Sequence, residues 1–297
     1  MASTISDKNP AADLQRLSQN LAQEAQALMA NNEIKAQEKI HSIRLYLKKM
    51  RSLFHLVDPK TNRKAFKKLL KRLSTCRKEL TPFRDEQVIQ EIIVDMQKKQ
   101  PDPTVKNSLS KIKTIVSKNN HLPEKKLLPL LEAASKTLAE SNAFLASLPL
   151  TSWHPLGSGL KRTYKKARKG FSQLHHHPQY NSFHKWRRFV KELYFQMDFI
   201  FPQNPKNIKN VQDHLHSIEK NLGHDHDLHL LAGYIEGEKE KLPKTLPYKD
   251  LLKSMKKRGK NLRKKSLKRA ALVFRPKTKR WTRQVEKSYQ QATVGTH

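Results

Sequence analysis

Between residues 13 and 270 the apolar residues return every three or four positions, and no stretch alternates with a period of two for long enough to make a strand. That periodicity restricts the chain to packed helices. Leu14, Leu17, Leu21, Ala25 and Leu28 set the pattern, with Asp13 placed to cap it. Stretches 33–57, 63–80, 85–99, 104–118 and 124–147 continue it, and 160–174, 180–199, 208–221, 226–236 and 247–270 repeat it in the second half. Asp58-Pro59, Pro101, Pro103, Pro178, Pro202 and Gly223 supply the stops, while Pro129 predicts a kink or a later start within 124–147. Residues 1–12 read as disordered. PLTSWHPLGSG, residues 149–159, is the clearest break and reads as a linker or long loop. The expected fold class is all-α.

Charge narrows the partner. The 297 residues carry 60 Lys and Arg against 26 Asp and Glu, a formal net charge of +34. Self-repulsion of that size opposes compaction unless a polyanion offsets it, so nucleic acid, an anionic membrane surface or a phosphate polymer all fit. One cysteine, Cys76, excludes an internal disulfide framework and a cysteine-based zinc site. No run approaches the roughly 18 apolar residues of a membrane span, and the N-terminus lacks the pattern of a secretory signal. A cytoplasmic location is the expectation.

The cations are ordered. In IHSIRLYLKKMRSLF (40–54), His41, Arg44, Lys48 and Arg51 are spaced three, four and three, which places them near one stripe of a helix. His184, Arg187, Lys191 and Tyr194 reproduce that spacing in HKWRRFVKELY. Leu80 precedes Asp85 by five residues, and Leu222 precedes Asp227 by the same five. The His-to-Asp separations are 44 and 43 residues. Two landmarks in the same order at nearly the same distance imply an internal duplication, with both cationic faces turned toward one groove or pore about a pseudo-twofold axis. Like charges one turn apart destabilise a helix slightly, so a repeated row calls for a counterion, and phosphate oxygens suit it.

H-x2-R followed by further cations, then L-x4-D, then the whole set again, resembles the CHAD domain, a histidine-containing α-helical domain. Matching stretches are 40–54, 70–89, 160–171, 183–199 and 215–231, and the basic segment 258–277 resembles the family's closing helix, so the likeness spans roughly 30–277. The resemblance implies two antiparallel four-helix bundles with a short connection, a basic central groove, and binding of inorganic polyphosphate. It sets the organisation as an N-terminal segment with an extra helix (1–29), a first bundle (30–148), the linker (149–159), a second bundle (160–277) and a basic tail (278–297). Lys48 and Lys49 stand where the family favours arginine, and LTPFRD lacks the glycine that Leu222-Gly223 keeps.

Candidate polyphosphate ligands in the first half are His41, Arg44, Lys48, Arg51 and Arg72. From the second half come Arg162, Lys165, Lys166, Arg168 and Lys169, then His184, Arg187, Arg188, Lys191 and Tyr194, and finally Lys264 and Lys268. Each histidine either donates a hydrogen bond to phosphate or is structural. Tyr164 and Tyr194 either offer a hydroxyl or edge the core. Asp85 and Asp227 read as helix caps or as carboxylates that hold groove arginines in place. HDHDLH (224–229) tempts a metal assignment, but adjacent helical positions point apart, and no metal or other cofactor is expected. Stretch 253–283 holds fifteen Lys and Arg and no acid, and serves either as an electrostatic arm or as a closing helix.

Aromatics make up 7% of the chain and rarely interleave the cation rows, which disfavours a base-stacking grip on single-stranded nucleic acid. No helix-turn-helix, zinc finger or zipper signature is present for duplex DNA. Hydrolysis of phosphoanhydrides would need an acidic cluster to hold magnesium, and no Walker, H-E-x-x-H or G-x-S-x-G motif appears. The expected protein is a non-catalytic polyphosphate binder, associated with polyphosphate granules in one version. The alternative is a general polyanion binder for which nucleic acid competes.

Overall fold

A computed structural model describes residues 10–57, 62–99, 103–119, 124–150, 153–174, 176, 178–202, 205–240, 242 and 248–294. All regular structure among them is helical. The first half contains α1 (Pro10–Ala30), α2 (Ala36–Leu56), α3 (Arg63–Glu79), α4 (Thr81–Lys99), α5 (Pro103–Asn119) and α6 (Glu124–Ala146). The second contains α7 (Trp153–Leu174), α8 (Tyr180–Ile200), α9 (Lys206–Gly237), α10 (Tyr248–Phe274) and α11 (Thr278–Val294).

Two apolar cores organise these helices. The larger draws Ile43, Leu47 and Met50 from α2, Leu73 from α3, Leu138 from α6, Leu160 from α7, and Val190 and Leu193 from α8. The smaller joins Ile93 of α4 and Ile112 of α5 to Leu231 of α9 and Leu251 of α10. Neither follows the midpoint of the sequence. Helix α9 crosses from the first core (Leu215, Ile218, Leu222) to the second (Leu228, Leu231, Ile235). Helix α10 returns, from Leu251 and Met255 in the small core to Val273 and Phe274 in the large one. The two form an antiparallel pair, and α9, at 32 residues, is about 48 Å long.

Several stops expected from the sequence do not stop anything. Helix α4 begins at Thr81, four residues before Asp85, because Pro82 falls in the first turn, where a missing N–H needs no partner. Helix α6 runs through Pro129. Helix α9 runs through Gly223, since one glycine in a helix costs only about 1 kcal/mol against alanine.

Most of the expected linker is also helix: α7 starts at Trp153 with Pro155 in its first turn. Gly159 is there for contact. A Cβ at that position would fall inside the carbonyl of Leu56, so the glycine lets α7 cross the end of α2 backbone to backbone. The expected tail, 278–297, is helix α11 through Val294, with 295–297 outside the described residues. Trp281, Val285 and Tyr289 recur every four residues and are buried. Trp281 stacks on Tyr164 at 4.0 Å, and Tyr289 stacks on Trp153 at 4.3 Å. Residues 1–9 of the segment expected to be disordered lie outside the described residues, and α1 begins at Pro10.

Candidate functional site: a cation-lined cavity

Helices α2, α3, α4, α8 and α9 enclose a cavity of about 400 Å³. His41, Arg44, Lys48 and Arg51 reach it from α2, because their three-four-three spacing keeps them beside the buried stripe of Ile40, Ile43, Leu47 and Met50. From α8 come His184, Arg187, Arg188 and Lys191, on a helix anchored by buried Trp186, Val190 and Leu193. Arg77 of α3, Arg84 and Asp85 of α4, and His226 and Asp227 of α9 complete the ring together with Glu192. Eight Lys or Arg and three His therefore face three carboxylates.

Part of this charge is fixed by protein partners. Arg44, only 8% exposed, donates from Nη1 to the carbonyl of Arg77 at 2.6 Å and to Thr81 Oγ1 at 2.9 Å, which ties α2 to the α3–α4 corner. Lys191 pairs with Glu219, and Arg187 Nη2 lies 3.6 Å from the same carboxylate. Gly223 sits beneath Arg187: a Cβ there would be 3.2 Å from Nη2. Glu192 is turned toward His55 Nδ1 at 2.7 Å. Other donors have no protein acceptor. Arg77 Nε, Arg84 Nη1, His184 Nδ1 and Arg187 Nε are buried without a hydrogen bond, the situation that costs most when no acceptor arrives.

The crowding shifts protonation. Burial, reinforced by Lys191, Arg44, Arg187 and Arg77, pulls the Lys48 amine down to about 6. Burial and then Arg77 lower Arg44 to about 10. His41 is lowered by burial and by Arg84 and Lys48, and His184 by burial and by Arg187 and Arg188. His226 falls to about 3 through burial, Arg187 and His184. Asp85 and Asp227 go the other way: burial raises both, against the pull of Arg44 and Arg84 on the first and Arg187 and Arg84 on the second. Burial would also raise Glu219, but Lys191, Arg187 and Lys48 together hold it below its ordinary value. Burial and like-charge crowding in the cavity thus disfavour the protonated forms of its bases, and burial disfavours the ionised forms of its aspartates.

The structure thus brings together His41, Arg44, Lys48, Arg51, His184, Arg187, Arg188, Lys191, Asp85 and Asp227. The two aspartates are interior to α4 and α9 and do not cap them. The other sequence candidates lie elsewhere. Arg72 pairs with Glu140 of α6. Arg162 donates to the carbonyl of Val57 at 3.3 Å, and Arg168 Nε to that of Phe274 at 3.1 Å, so both clamp helix ends. Lys165, Lys166 and Lys169 are exposed on α7, and Lys264 and Lys268 on α10. Tyr194 packs against Phe195 and His216, and Tyr164 is a core residue whose hydroxyl donates to the Pro276 carbonyl at 2.9 Å.

HDHDLH distributes its side chains around α9. His224 is exposed, Asp225 is buried against Arg263 at 3.1 Å, and His226 Nδ1 meets the Tyr180 hydroxyl at 2.6 Å. Among the described residues no group of three His, Cys, Asp or Glu could hold a metal ion. Arg77, Arg84, His226, Glu192 and Glu219 were not among the sequence candidates. Two of them carried a signal: Arg84 and His226 each stand immediately before a landmark aspartate.

An all-helical domain built round a cation-lined cavity is the class that this geometry defines. Residues 12–236 match the CHAD domain, and the chain belongs to that family. No curated relative matches it. The match starts before residue 30 and ends well before 277; it contains every residue lining the cavity, whereas α10 and α11 lie beyond it. Among the described residues no helix is long and apolar enough to cross a membrane.

Proposed function

We propose that this protein binds inorganic polyphosphate in the cavity without cleaving it. One observation carries the proposal: Arg77, Arg84, His184 and Arg187, from three helices, line one cavity, and each has a buried nitrogen with no hydrogen-bond partner among the described residues. A phosphate chain supplies acceptors and negative charge in a form that planar guanidinium forks match. In this proposal the halves carrying α2 and α8 are pseudo-twofold related antiparallel bundles, and the cavity is where their cationic rows meet. Asp85 and Asp227 steer Arg44, Arg84 and Arg187 rather than hold magnesium, a role for which their raised proton affinity suits them poorly.

The test is a competition titration at near-physiological salt. Labelled long-chain polyphosphate is displaced by unlabelled polyphosphate, single-stranded DNA, duplex DNA or heparin, and the polymer is then sized. Preference for polyphosphate at equal charge, with the polymer intact, supports a dedicated site. Equal displacement by DNA and heparin replaces it with a general polyanion binder, and shortened polymer replaces it with a hydrolase.

A further inference from the structure

A second set of cations lies outside the cavity. On α10, Lys253, Lys256, Lys257, Lys260, Lys264 and Lys268 are all exposed, and at 3.6 residues per turn they occupy one arc of about 120°. The stripe is about 22 Å long at 1.5 Å per residue. It contains no arginine and no acid, and the sequence carries none of the latter from Lys253 to Arg283. Among the described residues these lysines form no ion pair, whereas two arginines of the same helix do, Arg258 with Asp95 and Arg263 with Asp225. Four pairs of the stripe are like charges at i,i+4, each of which weakens a helix. Only Asp250, three residues before Lys253, is placed on the same helix to offset any of that cost.

Helix α10 packs along α9, whose other side presents His226 and Asp227 to the cavity, and the lysines lie on the outer arc of α10, so the thickness of both helices, roughly 20 Å, separates the two sets. We infer that the lysine stripe of α10 is a second polyanion-binding surface, which holds the part of a long phosphate polymer that extends beyond the cavity. This rests on the cavity being the polyphosphate site. A single polymer engaging both zones gains by effective concentration, so the stripe acts on long chains and leaves short ones unaffected. Exposed lysines are hydrated point charges on flexible stems, which suits a sliding hold on a flexible phosphate chain rather than a fixed contact geometry.

The experiment compares pentaphosphate with long-chain polyphosphate on the full chain and on the variant Lys256→Gln/Lys257→Gln/Lys260→Gln/Lys264→Gln. The expected result is a tenfold or larger loss for the long polymer, with pentaphosphate unchanged. The salt slope for the long polymer should shrink by about 3, by analogy with single-stranded nucleic acid. Removing like-charge neighbours should leave the melting temperature equal or higher, which separates lost binding from lost folding. An unchanged long-chain affinity overturns the proposal, as does an equal loss for pentaphosphate. If duplex DNA binds the stripe as well as long-chain polyphosphate does, the assigned partner is wrong. If pentaphosphate fails to bind the wild-type protein while the long polymer binds and depends on the stripe, the cavity assignment fails and the stripe survives.

Discussion

Six of the eight fixed cations in the cavity are arginine, whereas the outer stripe of α10 is lysine throughout. The difference follows solvation. A guanidinium is weakly hydrated, keeps its proton and donates in a rigid fork, so it tolerates a crowded, partly dry site. An ammonium in the same place gives up its proton, as Lys48 does with a pKa of about 6. On the open face of α10 full hydration removes that difficulty. In the proposed reading, the interior recognises an anion and the exterior attracts one.

The largest expected effect tests that contrast directly. Arg84→Gln/Arg187→Gln removes two cavity guanidiniums from α4 and α8, while Lys277→Gln/Lys279→Gln removes equal charge beyond α10. With pentaphosphate as ligand, the first variant should lose at least about a hundredfold in affinity, since two charge-assisted hydrogen bonds contribute about 1.5–3 kcal/mol each. The second should lose less than threefold. Equal losses by calorimetry would mean that bulk charge governs binding and that the cavity is incidental. Arg44→Ala should differ in kind. It frees the α3–α4 corner and should lower stability by about 1.5–3 kcal/mol, readable as a shifted urea midpoint.

The cavity was legible in the sequence to the extent that it is written as helical spacing. The rows of α2 and α8 and the two aspartates converge because a three-four-three pattern survives folding as a stripe. Arg72, Arg162 and Arg168 share the residue type, but their neighbours in space are Glu140 and the carbonyl ends of α2 and α10, which no local pattern encodes. Glycine misled in the same way. Gly159 and Gly223 look like breaks, yet one admits a helix crossing and the other makes room for Arg187. In residues 278–294 the density of charge masks the four-residue recurrence of Trp281, Val285 and Tyr289, which docks α11.

Protonation offers a second way to separate the zones. In the free protein His41, His184 and His226 hold protons less firmly than usual, and Lys48 loses its proton near pH 6. A bound phosphate chain opposes both burial and cation repulsion, so it raises these values. The complex then carries more protons than the free protein above about pH 6, and affinity falls as pH rises. Each proton taken up corresponds to as much as a tenfold change per pH unit. Pentaphosphate titrations at pH 7.5 in buffers of different ionisation enthalpy should report net proton uptake, and Lys48→Met should reduce it. Buffer-independent enthalpies would place binding on the hydrated exterior instead.

The smallest effect probes how finely the interior is set. Gly223 is a helical glycine in α9, so Gly223→Ala should stabilise the fold by up to about 1 kcal/mol. Its new Cβ would stand 3.2 Å from Arg187 Nη2, and that side chain must yield by a few tenths of an ångström. Glu219, one turn before Gly223 on the same helix, lies 3.6 Å from the same Nη2, so the new Cβ would push Arg187 off this pairing and toward the cavity, and should weaken pentaphosphate binding by roughly threefold, about half a hydrogen bond. Higher melting temperature with lower affinity is the expected pair of results. A variant that gains stability and keeps its affinity would show that Arg187 adjusts freely, and that the cavity recognises charge without fixing the guanidinium's position. The α10 stripe has no equivalent of this test, because its lysines are exposed.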